Sequence, residues 1–196
     1  MFMFSSFFLF TGMGISYANE TEGGIFASPE YGVPLVGYRG FDFHLTPLKS
    51  SSGNNQRTRL YTELAYDGRF DILLFLPSCE TNSAQLIASL DRALPEHLKA
   101  LVRIRFVYPS LPPTPAFTTT KLLSVTHYID TPILGSEIGA VSGRMLYGHA
   151  LGVDEEIEEK ELVIVVLRPD SYVGHAEAVS TGALSFKGVS AYFARL

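Results

Sequence analysis

The side chains best suited to chemistry in this 196-residue chain are one cysteine, five histidines, a serine flanked by glycine, two arginines on one strand and a run of carboxylates. Cys79 follows Leu76-Pro77-Ser78, where an apolar run stops, and a thiol in such a turn can act as a nucleophile or as half of a redox pair. There is no second cysteine, which excludes an internal disulfide and a zinc site built on several thiolates. Cys79 is most simply a buried small hydrophobe. Gly139-Ala-Val-Ser-Gly143 has the outline of a nucleophile elbow, but the position two before Ser142 is Ala140, where the elbow needs glycine. His44, His97, His127, His149 and His175 contain no His-x-x-x-His pair and read as ordinary surface or partly buried residues. Gly12-Met13-Gly14 is only the front of a dinucleotide fingerprint, with no third glycine and no strand before it, and there is no P-loop. The expectation is therefore no catalytic, cofactor-binding or metal-binding residue in this chain. Arg103 and Arg105 are cations on one face of a strand, where they can meet an anion but more simply face water. Asp154 to Glu161 holds six carboxylates in eight residues, a run that repels itself and reads as a solvated loop.

The elements that must position these groups centre on Gly68 to Leu94. Asp71 to Leu76 is an almost unbroken apolar run, as in a strand covered on both faces, and Pro77-Ser78 ends it. Asn82 or Ser83 can cap a helix with Leu86, Ile87, Leu90 and Leu94 on one face. Phe41, Phe43 and Leu45 alternate with polar residues and suggest an edge strand, and Lys49 to Arg57 reads as an exposed loop. Arg59 to Ala65 is a short strand or a helical turn. Leu101 to Tyr108 is a second strand, more exposed on one face, and four prolines keep Pro109 to Thr120 irregular. Lys121 to Ile129 reads as a strand, Ile138 to Leu151 as a helix, and Leu162 to Leu167 as a second fully apolar strand. Arg168-Pro169-Asp170-Ser171 supplies a turn, Tyr172 to His175 returns as a hairpin, and Thr181 to Leu196 closes as a helix on the sheet. No internal repeat is visible.

Apolar residues make up 46% of the chain, enough for one well-buried domain with a looser segment attached. A net charge of -5 with no Lys/Arg cluster argues against nucleic acid as a partner. Phe2 to Phe10 is strongly apolar, Ser16 and Ala18 suit a signal-peptide cleavage site, and Asn19-Glu20-Thr21 is a glycosylation sequon. Against secretion, no cation precedes the apolar run, and Gly12 and Gly14 interrupt it. The run is also short of the roughly 20 residues a membrane span needs. Residues 1–30 thus form an apolar segment and linker, and 31–196 a single α/β domain. Its element order fits a thioredoxin-like fold, a central mixed sheet flanked by helices, without a Cys-x-x-Cys.

Four segments carry a family resemblance: Phe10-Thr-Gly-Met-Gly-Ile-Ser-Tyr17, Gly37-Tyr-Arg-Gly40 with Pro47 downstream, Gly68-Arg-Phe-Asp-Ile-Leu-Leu-Phe75, and Leu167-Arg-Pro-Asp-Ser-Tyr-Val-Gly174. In this order and spacing the chain resembles the C-terminal part of phenol 2-monooxygenase-type flavoproteins. The resemblance implies that the first segment ends the flavin and substrate part, and that the others belong to a thioredoxin-like domain associated with dimerisation. Ser171 replaces the family's usual glycine. The large region that holds FAD, oxidises NADPH and positions the phenol in that family has no counterpart here, and no catalytic residue carries over.

The resemblance implies a dimerisation or scaffold module without activity of its own, forming a homodimer or associating with a flavoprotein domain. FAD and NADPH would belong to the intact family enzyme, not to this chain, and neither nucleic acid nor membrane is an expected partner. The expected location is cytoplasmic. The alternatives are a fragment of an active FAD/NADPH-dependent aromatic hydroxylase, whose front would lie upstream, and a secreted thioredoxin-like binding protein beginning at Asn19.

Overall fold

The sheet is built outward from the apolar strand at its centre. A computed structural model describes residues 36–48, 56–79, 81–112, 124–131, 142–151 and 161–196. The expectations for residues 1–30, for most of the 49–57 loop, for 113–123, for 138–141 and for 154–160 lie outside these. The strands are β1 (His44–Pro47), β2 (Thr58–Arg59), β3 (Phe70–Phe75), β4 (Val102–Tyr108), β5 (Ser124–Asp130), β6 (Glu161–Leu167) and β7 (Val173–Ser180). Their spatial order is β2-β1-β5-β4-β3-β6-β7. β3, β4 and β5 run parallel, whereas β6 is antiparallel to β3 and β7 antiparallel to β6. The helices are α1 (Leu60–Glu63), α2 (Ser83–Ala93), α3 (Gly143–Ala150) and α4 (Lys187–Phe193). A β3-α2-β4 unit beside a β6-β7-α4 unit, joined through α3 and sharing one mixed sheet, is a thioredoxin-like α/β fold. It carries a single cysteine and no Cys-x-x-Cys.

Alternation along the strands divides the core between two faces. Ile72, Leu74 and Leu76, with Val102, Ile104, Phe106 and Tyr108, pack on one side under α2 and α4. The Asn82 side chain accepts from the Gln85 backbone N–H and caps α2, which buries Leu86, Ile87 and Leu90. Each such side chain contributes about 1.5–3 kcal/mol relative to leaving it in water. Leu73 and Phe75 face the other way, with Leu45, Leu60, Val107, Val163, Val165 and Tyr147.

Three expectations need correction and one resolves into both of its alternatives. The strand near Phe41 is shorter, His44–Pro47, and is not at the edge, because two residues of β2 pair outside it. Residues 59–65 are both alternatives in succession, the end of β2 followed by the one-turn helix α1. β4 is buried on both faces, so Arg103 and Arg105 do not face water. The terminal helix is confined to Lys187–Phe193, after a 3-10 turn at Thr181–Ala183.

Candidate functional site

The turn after β3 places Cys79 at the C-terminal end of the parallel strands. Its thiol is half-buried, not buried as expected, with Sγ 2.8 Å from Ser110 Oγ and 3.4 Å from the Ser110 carbonyl oxygen. Ser110 arrives there because β4 ends at Tyr108, one residue before Pro109. Just inside lie Tyr108 and His127, with Tyr108 Oη 3.1 Å from His127 Nδ1 and His127 stacked against Phe106. Burial pushes the Tyr108 hydroxyl up, and the nearby Cys79 adds to that, while a hydrogen bond with Ser83 opposes it. Burial lowers the His127 imidazole below its ordinary value, which favours the neutral ring. Around Cys79 this end therefore offers one thiol, one neutral aromatic hydroxyl and a neutral imidazole. It has no second thiol for dithiol exchange.

Beside it, Asp130 ends β5 and accepts from the backbone N–H groups of Gly143 (2.9 Å) and Arg144 (2.8 Å), holding the start of α3. The N–H groups at a helix start lack intrahelical acceptors, so a carboxylate there completes the helix. Burial nonetheless raises the Asp130 carboxyl above its ordinary value, and these hydrogen bonds only partly offset it. Arg144 is buried and donates through Nη1 to the Phe75 carbonyl and through Nη2 to the Glu161 carbonyl, both 2.9 Å, tying α3 to β3 and β6. These groups border a cavity of about 100 Å³ together with Val107, Pro109 and Ser142. Ser142 accepts from the Met145 N–H at 3.1 Å. That helix-capping role accounts for the serine in the elbow-like sequence.

The opposite end of the sheet holds the denser polar structure. Asp71, the one charged residue in the opening apolar run, is buried and receives both arginines of β4. Its Oδ1 accepts from Arg103 Nε (3.1 Å) and Arg105 Nε (2.6 Å), and its Oδ2 from Arg103 Nη2 (2.8 Å). Arg105 also donates to Tyr128 Oη (2.5 Å) and to the Glu63 carbonyl (2.8 Å), and Tyr128 donates to Glu63 Oε2 (3.1 Å). Asp67 completes the set at 3.4 Å from Arg103 Nη1. Two guanidiniums with every near oxygen supplied by the fold form a satisfied buried network, which fastens α1 and the following turn to the sheet.

The same end joins two segments about 130 residues apart in sequence. Gly37 N–H donates to the Val173 carbonyl, Val173 N–H to the Tyr38 carbonyl and Gly40 N–H to the Ser171 carbonyl, at 2.8, 2.8 and 2.9 Å, and Arg39 bridges Tyr172. A Cβ on Gly40 would meet Leu167 Cδ2 at 2.8 Å and Tyr147 Oη at 2.9 Å, and one on Gly174 would run into the Tyr192 ring and hydroxyl. Burial pushes the Tyr192 hydroxyl up to about 12. Ser171 is in the left-handed region at φ 67, and its Oγ donates to the Asp170 carbonyl at 2.6 Å. Arg168 and Asp170 close the turn with an ion pair of 2.7 Å.

The histidines separate sharply. His127 and His175 are buried, His175 completely, against the expectation of surface or partly buried positions. His44 is half-buried and its imidazole is lowered, first by burial and then by Arg57 and Arg59. Among the described residues no group of three His, Cys, Asp or Glu is arranged to hold a metal ion, and no helix is long and apolar enough to cross a membrane. Sequence reasoning missed the Asp71 network and the Asp130-Arg144 pair. The available signal was a lone aspartate inside an apolar strand, because such a charge is retained only where partners reach it.

No protein-family model matches the chain, and no curated protein does. Among solved structures, the reduced 2-Cys peroxiredoxin of Plasmodium vivax is 15% identical, with a TM-score of 0.49 over 82% of this chain and 94% of that one. Thioredoxin peroxidase I of Plasmodium yoelii is 15% identical at a TM-score of 0.44, covering 80% and 86%. The AhpC of Mycobacterium tuberculosis is 13% identical at 0.43, covering 79% and 86%. At these values the likeness concerns the fold alone, and the fold rests on the strand order given above.

Proposed function

We propose that this chain is a thioredoxin-like association module, the counterpart of the C-terminal part of phenol 2-monooxygenase-type flavoproteins, which dimerises or docks to a flavoprotein domain and carries no catalysis of its own. The observation that supports this reading most is the junction of Gly37–Gly40 with 167–174. Two of the segments that carry the family resemblance meet through backbone hydrogen bonds, and their glycines lie under Tyr147 and Tyr192. Glycines at such close approach serve packing, which is what a scaffold requires. Gly68 to Phe75, a third segment, supplies Asp71 to the buried ion network. Light scattering and flavin absorbance on the purified chain test the proposal. The expected result is a dimer without bound flavin. A strict monomer at high concentration removes the dimer role, and stoichiometric FAD removes the claim of inertness.

A further inference from the structure

α2 and α4 lie side by side on one face of the sheet, where Leu86, Leu90, Val189 and Phe193 hold them. The cleft between them has a volume of about 330 Å³, at the small end of the range for ligand pockets. Ser89, Arg92 and Ala93 form one stripe of α2, and Lys187 and Ser190 form one stripe of α4, because residues three or four apart share a helix face. Leu184 and Phe186, from the segment leading into α4, complete the lining. Two cations and two hydroxyls thus meet over an apolar wall, and among the described residues no carboxylate lines the cleft. Elsewhere Arg59, Arg69, Lys99, Arg103, Arg105 and Arg168 each sit on a carboxylate. Arg92 instead donates from Nε to the Ala88 carbonyl (3.1 Å) and from Nη2 to Ser89 Oγ (3.3 Å), which leaves three of its five N–H donors unused among the described residues. Lys187 has no partner among them. The nearby carboxylates are already engaged: Asp91 and Glu96 hold Lys99 at 3.1 and 2.8 Å, and Glu177 accepts from the Val189 N–H at 3.3 Å.

We propose that this cleft binds a small phosphomonoester, with Arg92 and Lys187 on the phosphate oxygens, Ser89 and Ser190 donating to them, and the organic group against Leu184 and Phe186. A carboxylate would be served by a guanidinium fork alone. Cations from two helices, joined by two hydroxyls, suit a group with three terminal oxygens and nearly two negative charges. Ser89 Oγ accepts from Arg92, so its own hydrogen is left to donate. Occupancy ties α2 to α4, and because both cations are exposed, salt weakens it. The site is independent of the association reading above.

The test is titration calorimetry of the full chain with phenyl phosphate at low salt, beside inorganic phosphate and benzoate. The expected result is one site with a Kd near or below about 1 mM for phenyl phosphate, weaker binding of the other two, and a loss of about tenfold in each of Arg92→Gln and Lys187→Gln. Both side chains are exposed, so the ligand-free variants should unfold at the wild-type temperature, and phenyl phosphate should raise the wild-type midpoint more than that of either variant. No saturable binding of phenyl phosphate, or binding that neither substitution weakens, overturns the site. Inorganic phosphate bound as tightly as the ester overturns the part given to Leu184 and Phe186, and benzoate bound more tightly than the ester overturns the choice of phosphate.

Discussion

The two ends of the central sheet are made of similar strands yet are put to opposite uses. At the C-terminal ends of β3, β4 and β5, Cys79 is half-buried beside Ser110, Tyr108 and His127 behind it are neutral, and the one buried guanidinium, Arg144, is spent on backbone carbonyls. At the other end, two guanidiniums converge on one buried aspartate, and two motif glycines are covered by tyrosines. The first end is where a thioredoxin-like fold can place a reactive thiol, and little is built around that thiol here. The second end concentrates groups that are costly to disturb. The difference teaches that this sequence specifies assembly of the sheet more tightly than it specifies chemistry at its tips.

The comparison can be broken most directly at Asp71. Asp71→Ala leaves two buried guanidiniums facing one another, and is expected to cost about 3–5 kcal/mol, read from the urea midpoint. A cost below about 1 kcal/mol would show that the network is solvated after all. Next is Gly174→Ala, whose new methyl enters the space held by the Tyr192 ring and hydroxyl, at about 1–3 kcal/mol. The buried Tyr192 hydroxyl has no hydrogen-bond partner among the described residues. Tyr192→Phe should therefore be nearly neutral alone and should recover part of the loss in the double variant, which thermal unfolding of all three proteins would reveal.

Smaller effects belong to the thiol end. The folded state holds His127 neutral, so its pKa lies below the unfolded value of about 6.5, and the unfolded chain binds more protons between the two. Stability from this group is present above pH 6.5 and declines as pH falls through that window. His127→Asn should flatten that slope, and unfolding measured on both sides of the window checks it. The smallest effect is expected for Cys79→Ser, within about 1 kcal/mol, because a half-buried thiol bonded to a serine is replaced by a similar hydroxyl. A collapse of stability in that variant would mean that the thiol end is as tightly specified as the other.

Local patterns made much of this architecture readable. The apolar run at 71–76 predicted β3, the spacing of Leu86, Ile87 and Leu90 together with Asn82 predicted α2, and Pro169-Asp170 predicted the β6-β7 turn. These are short-range signals, in which burial and capping are decided by residues a few positions apart. Arg103 and Arg105 were misread for the same reason. Their alternation with apolar residues does describe a strand with a polar face, but whether that face meets water depends on α1 and Asp71, which arrive from about 30 to 40 residues away.

By itself, the sequence determined that a β-strand feeds a capped helix, that the single thiol has no internal disulfide partner, and that Gly37, Gly40 and Gly174 sit in the segments that carry the resemblance. Only the tertiary structure decided that Asp71 pairs with two arginines and that those glycines lie in one junction. Propensity, periodicity and residue count act along the chain, so they can be read from it. Charge pairing and close approach depend on which distant segments are brought within a few ångströms, and that is settled only when the sheet assembles.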